Sequence, residues 1–164
     1  MKKTELTISE SEAIRLYPTA SKELKLMLEK AFGKEALCYK ITDKVKIVAD
    51  AYKVKGIDRK DIIPFPTPKN NFQEAQNAIA DIWIIAEVLC EGWEADYDNS
   101  KQTKWFPVYK KETSGFGFSR SIAYYDYTDT FSGSRLCFPT EELSDYFGNQ
   151  FIETMNIILI KKNN

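Results

Sequence analysis

The spacing of apolar residues predicts an α+β fold with helices towards both ends of the chain and strands between them. Apolar residues recur three or four positions apart in five segments, namely 9–18, 21–32, 42–55, 72–91 and 141–160. They alternate with other residues, or form a short apolar run, in three segments, namely 105–110, 116–125 and 134–138. We expect the N-terminal helices and the two long helices to pack on a small three-stranded antiparallel meander.

Capping residues support two of the helix boundaries. Ser9 and Glu12 form a predicted capping box, in which each side chain accepts a hydrogen bond from the backbone of the other residue. Asn71 and Glu74 repeat this pattern at the start of the fourth helix, and Gly92 ends that helix.

The fourth helix is apolar on nearly all sides. Its predicted inward face consists of Phe72, Ala75, Ile79, Ile82, Trp83, Ala86, Leu89 and Cys90. Ile84 and Val88 fall on the back. The helix therefore lies centrally in the fold, or its back forms a contact between copies of the chain.

Alternating prolines in residues 57–71 favour an extended, polyproline-like path. This stretch is a predicted linker, or a strap that lies across the surface. On either side of it we predict an N-terminal helical module over residues 1–56 and an α+β core over residues 72–164, and we expect one compact unit in all.

Residues 114–121 alternate aromatic and small side chains. A regular strand here places on one face Phe116, Phe118, Arg120, Ile122 and Tyr124. That face is either core or a platform that stacks on single-stranded nucleic acid, helped by Lys110 and Lys111. The stretch 115–118 resembles the aromatic signature of RNA-recognition motifs, but the predicted order of helices and then consecutive strands departs from that family.

The chain has no histidine, and its three cysteines, Cys38, Cys90 and Cys137, lie far apart. This composition excludes histidine-activated nucleophiles and the usual zinc sites. We therefore expect no catalytic residue, no cofactor and no enzyme activity. The cysteines are predicted to be small buried apolar residues.

Acidic residues supply an alternative chemistry. Asp96 and Asp98 begin like a calcium loop, but Lys101 stands where the turn glycine belongs, so a solvated loop is favoured over a metal site. Together with Asp126 and Asp129, they could form the carboxylate pair or metal site of an enzyme if they converge in one cleft.

Arg135 precedes an apolar stretch, and two interpretations of it stay open. An arginine that alternates with core residues extends its charged end to solvent or pairs with a nearby acid, and pairing is the favoured interpretation. Alternatively it binds an anion beside the start of the last helix, where free backbone N–H groups gather.

Composition and charge place the chain among globular proteins. It has 164 residues, is 43% hydrophobic and carries a net charge of −1. No stretch approaches the about 18 consecutive apolar residues of a membrane-spanning helix. The first residues lack the apolar run of a secretory signal, so we expect a cytoplasmic protein with no membrane partner.

Several short motifs occur together, among them Leu16-Tyr17-Pro18, Cys90-Glu91-Gly92-Trp93, Trp105-Phe106-Pro107 and Gly133-Ser134-Arg135-Leu136-Cys137-Phe138. With these motifs, residues 7–56 and 72–160 resemble uncharacterised small proteins of Bacteroidetes and of their phages and prophages. The resemblance implies a mobile-element setting and brings no known activity.

Three hypotheses about function follow. The first is a non-enzymatic accessory protein that binds a partner protein or a second copy of itself. The second is single-stranded nucleic-acid binding through the aromatic strand face. The third is the carboxylate- or metal-dependent enzyme.

Overall fold

A computed structural model of the protein describes residues 8–37, 40–124 and 134–160. Contacts divide the chain into two compact units, Met1–Asp43 and Lys44–Asn164. The sequence placed residues 44–56 in an N-terminal module, whereas the contacts assign them to the second unit.

The first unit is helical. It contains α1 (Glu10–Leu16), a 3₁₀ turn (Tyr17–Thr19), α2 (Lys22–Phe32) and α3 (Lys34–Leu37). The predicted capping box is confirmed, because Glu12 N donates to Ser9 Oγ at 3.3 Å and Ser9 N donates to Glu12 Oε2 at 3.0 Å. Burial of Ala13, Leu28 and Leu37 forms its core.

Two short helices replace the predicted helix over residues 42–55. They are α4 (Ile41–Lys44) and α5 (Val48–Lys55). The break leaves backbone groups for other partners: Asp50 Oδ2 accepts from Lys46 N and Ile47 N, both at 2.9 Å, and Tyr146 Oη donates to Val45 O at 2.7 Å. A local cap by Asp50 and a tertiary hydrogen bond from Tyr146 therefore override the apolar periodicity here.

Residues 57–70 run beside the next helix, α6 (Asn71–Leu89), and we call them the strap. The amide of Asn77 in α6 clamps the strap, because Phe65 N donates to Asn77 Oδ1 at 3.0 Å and Asn77 Nδ2 donates to Phe65 O at 2.7 Å. The stretch is not extended throughout as predicted, because it contains a 3₁₀ turn (Arg59–Asp61). Asn70, one residue before the predicted cap, is the N-cap of α6.

An ion pair below the strap joins three elements of the second unit. The buried Asp81 carboxylate of α6 accepts from Arg59 Nε at 2.8 Å and from Arg59 Nη2 at 2.7 Å. It also accepts from Tyr52 Oη of α5 at 3.0 Å. These hydrogen bonds raise the pKa of the Arg59 guanidinium and supply a buried carboxylate with the partners that it needs.

The predicted inward face of α6 is partly wrong. Trp83 is 42% exposed and Phe72 is 69% exposed, although both were assigned to the core. Ile84 and Val88, assigned to the back, are buried. No helix in the described ranges is both long enough and apolar enough to cross a bilayer.

The sheet has two strands in the described part of the chain, not the predicted three. Antiparallel β1 (Lys104–Glu112) and β2 (Gly115–Tyr124) form a hairpin. The predicted third strand, 134–138, is a 3₁₀ turn (Ser134–Leu136) followed by a single bridge between Phe138 and Trp105. The chain leaves the sheet after one bridging pair because Pro139 and the N-cap Thr140 follow directly.

The predicted helix over 141–160 is also divided, into α7 (Glu141–Gln150) and α8 (Ile152–Leu159). The break is at Phe151, whose φ and ψ are −110° and 24°. This side chain is buried, and its ring centroid lies 5.8 Å from that of Phe147. Helix α7 covers both strands, while α8 packs on α6 and β2, so the change of direction wraps the last helix around the core.

Candidate binding groove

The exposed Trp83 and Arg135 are in contact on the outer side of α6. The guanidinium carbon of Arg135 lies 4.9 Å from the ring centroid of Trp83. This is the geometry of a cation–π contact. The predicted pairing of Arg135 with an acid is not observed: within the described ranges, no carboxylate lies within ion-pair distance of it. The alternative anion site at the start of the last helix stays a prediction.

Two hollows meet at this pair, and both are lined by Trp83, Glu87 and Arg135. The strap hollow, of about 490 Å³, is completed by Ile62, Pro64, Gln76, Ile79, Ala80 and Ile84. The thiol hollow, of about 340 Å³, is completed by Ala86, Cys90, Trp93, Glu94, Ala95 and Cys137. We call the two together the Trp83 groove. Both volumes fall in the range of about 300–1,000 Å³ that is typical of ligand sites.

The strap hollow has fixed, mainly apolar walls. One wall is α6, and the other is the part of the strap around Pro64, which the Asn77–Phe65 clamp and the Arg59–Asp81 ion pair hold in place. One acceptor in its lining is unused: Gln76 Oε1 has no hydrogen-bond donor in the part of the chain that the structure describes. A buried acceptor without a donor is unfavourable until a ligand or solvent supplies one.

The thiol hollow contains two cysteines that are poor nucleophiles. Cys90 Sγ donates to Cys137 O at 3.5 Å, and Tyr97 Oη lies 3.6 Å from Cys137 Sγ. Burial raises the pKa of Cys90 to about 12 and also raises the pKa of Cys137. Because the thiolate is the reactive form, the raised pKa values lower the reactivity of both thiols.

The charges at the edge of the groove are unequal. Glu87 is ion-paired with Lys55, and Asp81 is satisfied beneath the strap. Arg135 is exposed and offers a positive charge whose described contact is an aromatic ring and not a carboxylate. The groove therefore combines apolar walls with one cation able to bind a negatively charged group.

The predicted aromatic strand face is not assembled. Val108 pairs with Arg120 and Tyr109 pairs with Phe118, so Ser119 has no partner in the register. This bulge reverses the alternation of faces along β2. Phe116 and Phe118 therefore lie on the face that packs on the helices, and Arg120 lies on the opposite face.

Both phenylalanines contact the last two helices. Phe118 lies so close to α7 that a Cβ atom built on Gly148 would be 2.1 Å from its Cδ2 atom. Phe116 N donates to Asn156 Oδ1 at 2.8 Å, and Asn156 Nδ2 donates to Phe116 O at 2.9 Å. Both rings are partly buried.

The basic residues predicted beside this face do not converge on it. Lys110 and Lys111 are exposed and, as neighbours in a strand, point to opposite faces of the hairpin. The side chain of Tyr124 lies outside the described residues.

The predicted acidic site is a structured turn. Asp98 N donates to Asp96 Oδ1 at 3.0 Å, and Asp96 N donates to Gln102 Oε1 at 2.7 Å. Over the residues that the structure describes, no group of three or more potential metal-ligating side chains converges. Asp126, Asp129 and Cys38 lie outside those residues.

The sequence did not identify Trp83 and Gln76 as groove residues, and it did not identify Lys104 as buried. Lys104 is 1% exposed, and its Nζ donates to Asn99 O at 3.1 Å and to Gln102 O at 2.9 Å, which fixes the loop before β1. Alternation along β1 places Lys104 on the same face as the buried Phe106, which was the available signal for its burial. Trp83 adjoins Ile84 in sequence, and periodicity alone did not show which of the two is buried.

Comparison with protein-family models, with curated proteins and with solved structures found no match to this chain.

Proposed function

We propose that this is a non-catalytic binding protein that holds a segment of a partner protein in the Trp83 groove. The observation that carries the proposal is the half-exposed Trp83 with Arg135 stacked on it and two hollows beside it. Tryptophan and arginine are the residues most enriched among those that dominate binding energy at protein interfaces.

The surroundings of the pair support binding over covalent chemistry. The lining of the thiol hollow contains Cys90 and Cys137, and burial raises the pKa of both thiols. The strap hollow is shaped by a clamped segment and a buried ion pair, so its apolar walls exist before any ligand arrives. A preformed site binds with less ordering cost than a flexible one.

The other hypotheses stay predictions. Nucleic-acid binding on the strand face lacks a common face for Phe118 and Arg120, because the bulge at Ser119 separates them. The mobile-element setting is a proposal that rests on the resemblance alone. An enzyme based on Asp96 and Asp98 has no specific geometric observation in its favour.

Selection from a displayed library of random peptides tests the proposal. The wild-type protein should enrich peptides that bind with a Kd of micromolar order or tighter. Trp83→Ser should lose these peptides, whereas Phe72→Ser should retain them. Phe72 is the matched control, because it is the more exposed aromatic of the same helix and does not line the groove.

Two results contradict the proposal. One is that selection enriches no peptide. The other is that the enriched peptides bind equally well to wild type and Trp83→Ser. Thermal unfolding of each variant by circular dichroism establishes that the comparison is between folded proteins.

A further inference from the structure

Arg135 keeps hydrogen-bonding capacity after it stacks on Trp83. A guanidinium carries five N–H donors, and the described contact of Arg135 is with an aromatic ring, 4.9 Å from its guanidinium carbon, and not with a carboxylate. A carboxylate fits the edge of a guanidinium through two parallel hydrogen bonds. The arginine is therefore presented for recognition of a planar anion.

The group next to that anion must be apolar. On the strap side of Arg135 lies the hollow lined by Ile62, Pro64, Ile79 and Ile84. Ile62 and Trp83 are 41% and 42% exposed, so an apolar side chain placed between them would cover surface that water now contacts. Gln76 Oε1 in the same lining lacks a donor, and a peptide N–H group could supply one.

The charge distribution disfavours a polyanion. Nucleic acids and anionic membranes are held by several cations that contact several phosphates. In the groove, by contrast, Arg135 is the one cation of the described lining, and of its two acids Glu87 is paired with Lys55 while Glu94 adds a negative charge. This lining can pair with a single acid but lacks the several cations that a polyanion needs.

Resting on the function proposed above, we infer that the Trp83 groove selects a peptide segment in which an acidic residue neighbours a large apolar residue. Arg135 binds the carboxylate, the strap hollow receives the apolar side chain, and Gln76 accepts a hydrogen bond from the segment. Arg135 is then the residue that determines specificity, and Trp83 is the residue that supplies affinity.

A positional-scanning library of synthetic peptides tests this inference on three forms of the full chain: wild type, Arg135→Glu and Phe72→Ser. A fourth form, Arg135→Gln, is used with a single labelled peptide. Wild type and Phe72→Ser should prefer Asp or Glu beside Leu, Ile or Phe. Arg135→Glu should reverse the charge preference to Lys or Arg. For a fluorescein-labelled peptide from the selected pool, replacing Glu by Gln should weaken binding to wild type about tenfold, and should weaken binding to Arg135→Gln by less than twofold.

The outcomes separate the inference from the proposed function. If peptides bind and Trp83→Ser loses them, but the preference for an acid is absent or survives in Arg135→Glu, the inference is wrong and the function stands. If no peptide binds at all, both fail. The inference is also wrong if oligo(dT), anionic vesicles or a second copy of the chain, measured by sedimentation, occupies the groove in competition with the peptide.

Discussion

The Trp83 groove and the β1–β2 hairpin, both in the second unit, contain the same kinds of residue in different arrangements. In the Trp83 groove, Asn77 clamps the backbone of Phe65. On the hairpin, Asn156 clamps the backbone of Phe116 in the same way. Each region also has an arginine nearby in the fold or in the sequence. In the groove the arginine and the aromatic ring stack at the surface, whereas on the hairpin they lie on opposite faces.

The comparison shows that neighbours in sequence do not make a site. Phe118 and Arg120 are two positions apart, and one unpaired residue, Ser119, places them on different faces. Trp83 and Arg135 are 52 positions apart in the numbering, yet they are in contact. Phe118 packs against α7, whereas Trp83 remains 42% exposed.

The largest expected difference concerns the two aromatic residues. Phe118→Ala should lower the free energy of unfolding by about 2–3 kcal/mol, somewhat less than for a fully buried phenylalanine, because it leaves a cavity beneath α7. Trp83→Ala should cost less than about 1 kcal/mol, because much of its side chain already contacts water. Urea denaturation followed by circular dichroism measures both values. Equal losses would remove the proposed distinction between core and groove.

The close contact between α7 and the hairpin gives a second prediction. Gly148→Ala should destabilise the protein by about 1–3 kcal/mol, since the added Cβ atom overlaps the ring of Phe118. Alanine is otherwise favoured over glycine inside a helix by up to about 1 kcal/mol, so the sign of the effect is diagnostic. The same denaturation experiment applies. A more stable Gly148→Ala variant would show that the ring is not held against the helix.

The two asparagine clamps give a third, smaller effect and a matched pair of variants. Asn77→Ala and Asn156→Ala each remove two hydrogen bonds to a phenylalanine backbone, and each should cost about 1–2 kcal/mol of stability. Only Asn77→Ala should also weaken peptide binding, because it releases a wall of the strap hollow. Fluorescence anisotropy with a library-selected peptide measures the binding. Equal weakening by the two variants would contradict the placement of the site.

The smallest effect is expected at Arg120. This side chain is exposed on the hairpin face away from α7, so Arg120→Ala should change stability by no more than about 0.5 kcal/mol and leave peptide affinity unchanged. Binding of labelled oligo(dT) by Arg120→Ala and by wild type completes the comparison. A salt-dependent loss of oligo(dT) binding in the variant would support the nucleic-acid hypothesis instead.

The sequence predicted the features that depend on local chemistry. The Ser9–Glu12 capping box, the first two strands and the α+β class all follow from capping and alternation. The features it missed depend on tertiary partners. A bulge adds one residue to an otherwise regular alternation and leaves no compositional sign. Phe151 interrupts a helix whose apolar pattern continues through the break.

The spacing of apolar residues could not predict the groove. Its walls come from the strap, from α6 and from the 3₁₀ turn that contains Arg135, and their meeting depends on the path of the chain between them. The proline-rich composition predicted an extended path but gave no sign of the 3₁₀ turn over Arg59–Asp61. The Asn77 clamp and the Arg59–Asp81 ion pair fix the strap on α6, and they thereby determine which face of α6 stays uncovered.

Chemical-shift mapping tests the central claim most directly. A ¹⁵N-labelled sample of the full chain is titrated with a library-selected peptide, and the shifts of backbone amides and of the three tryptophan indole N–H groups are followed. Binding in the groove predicts the largest changes at the Trp83 indole and at the amides of residues 62, 63, 76–84 and 135. Changes concentrated at residues 116–120, with the Trp83 indole unmoved, would contradict it.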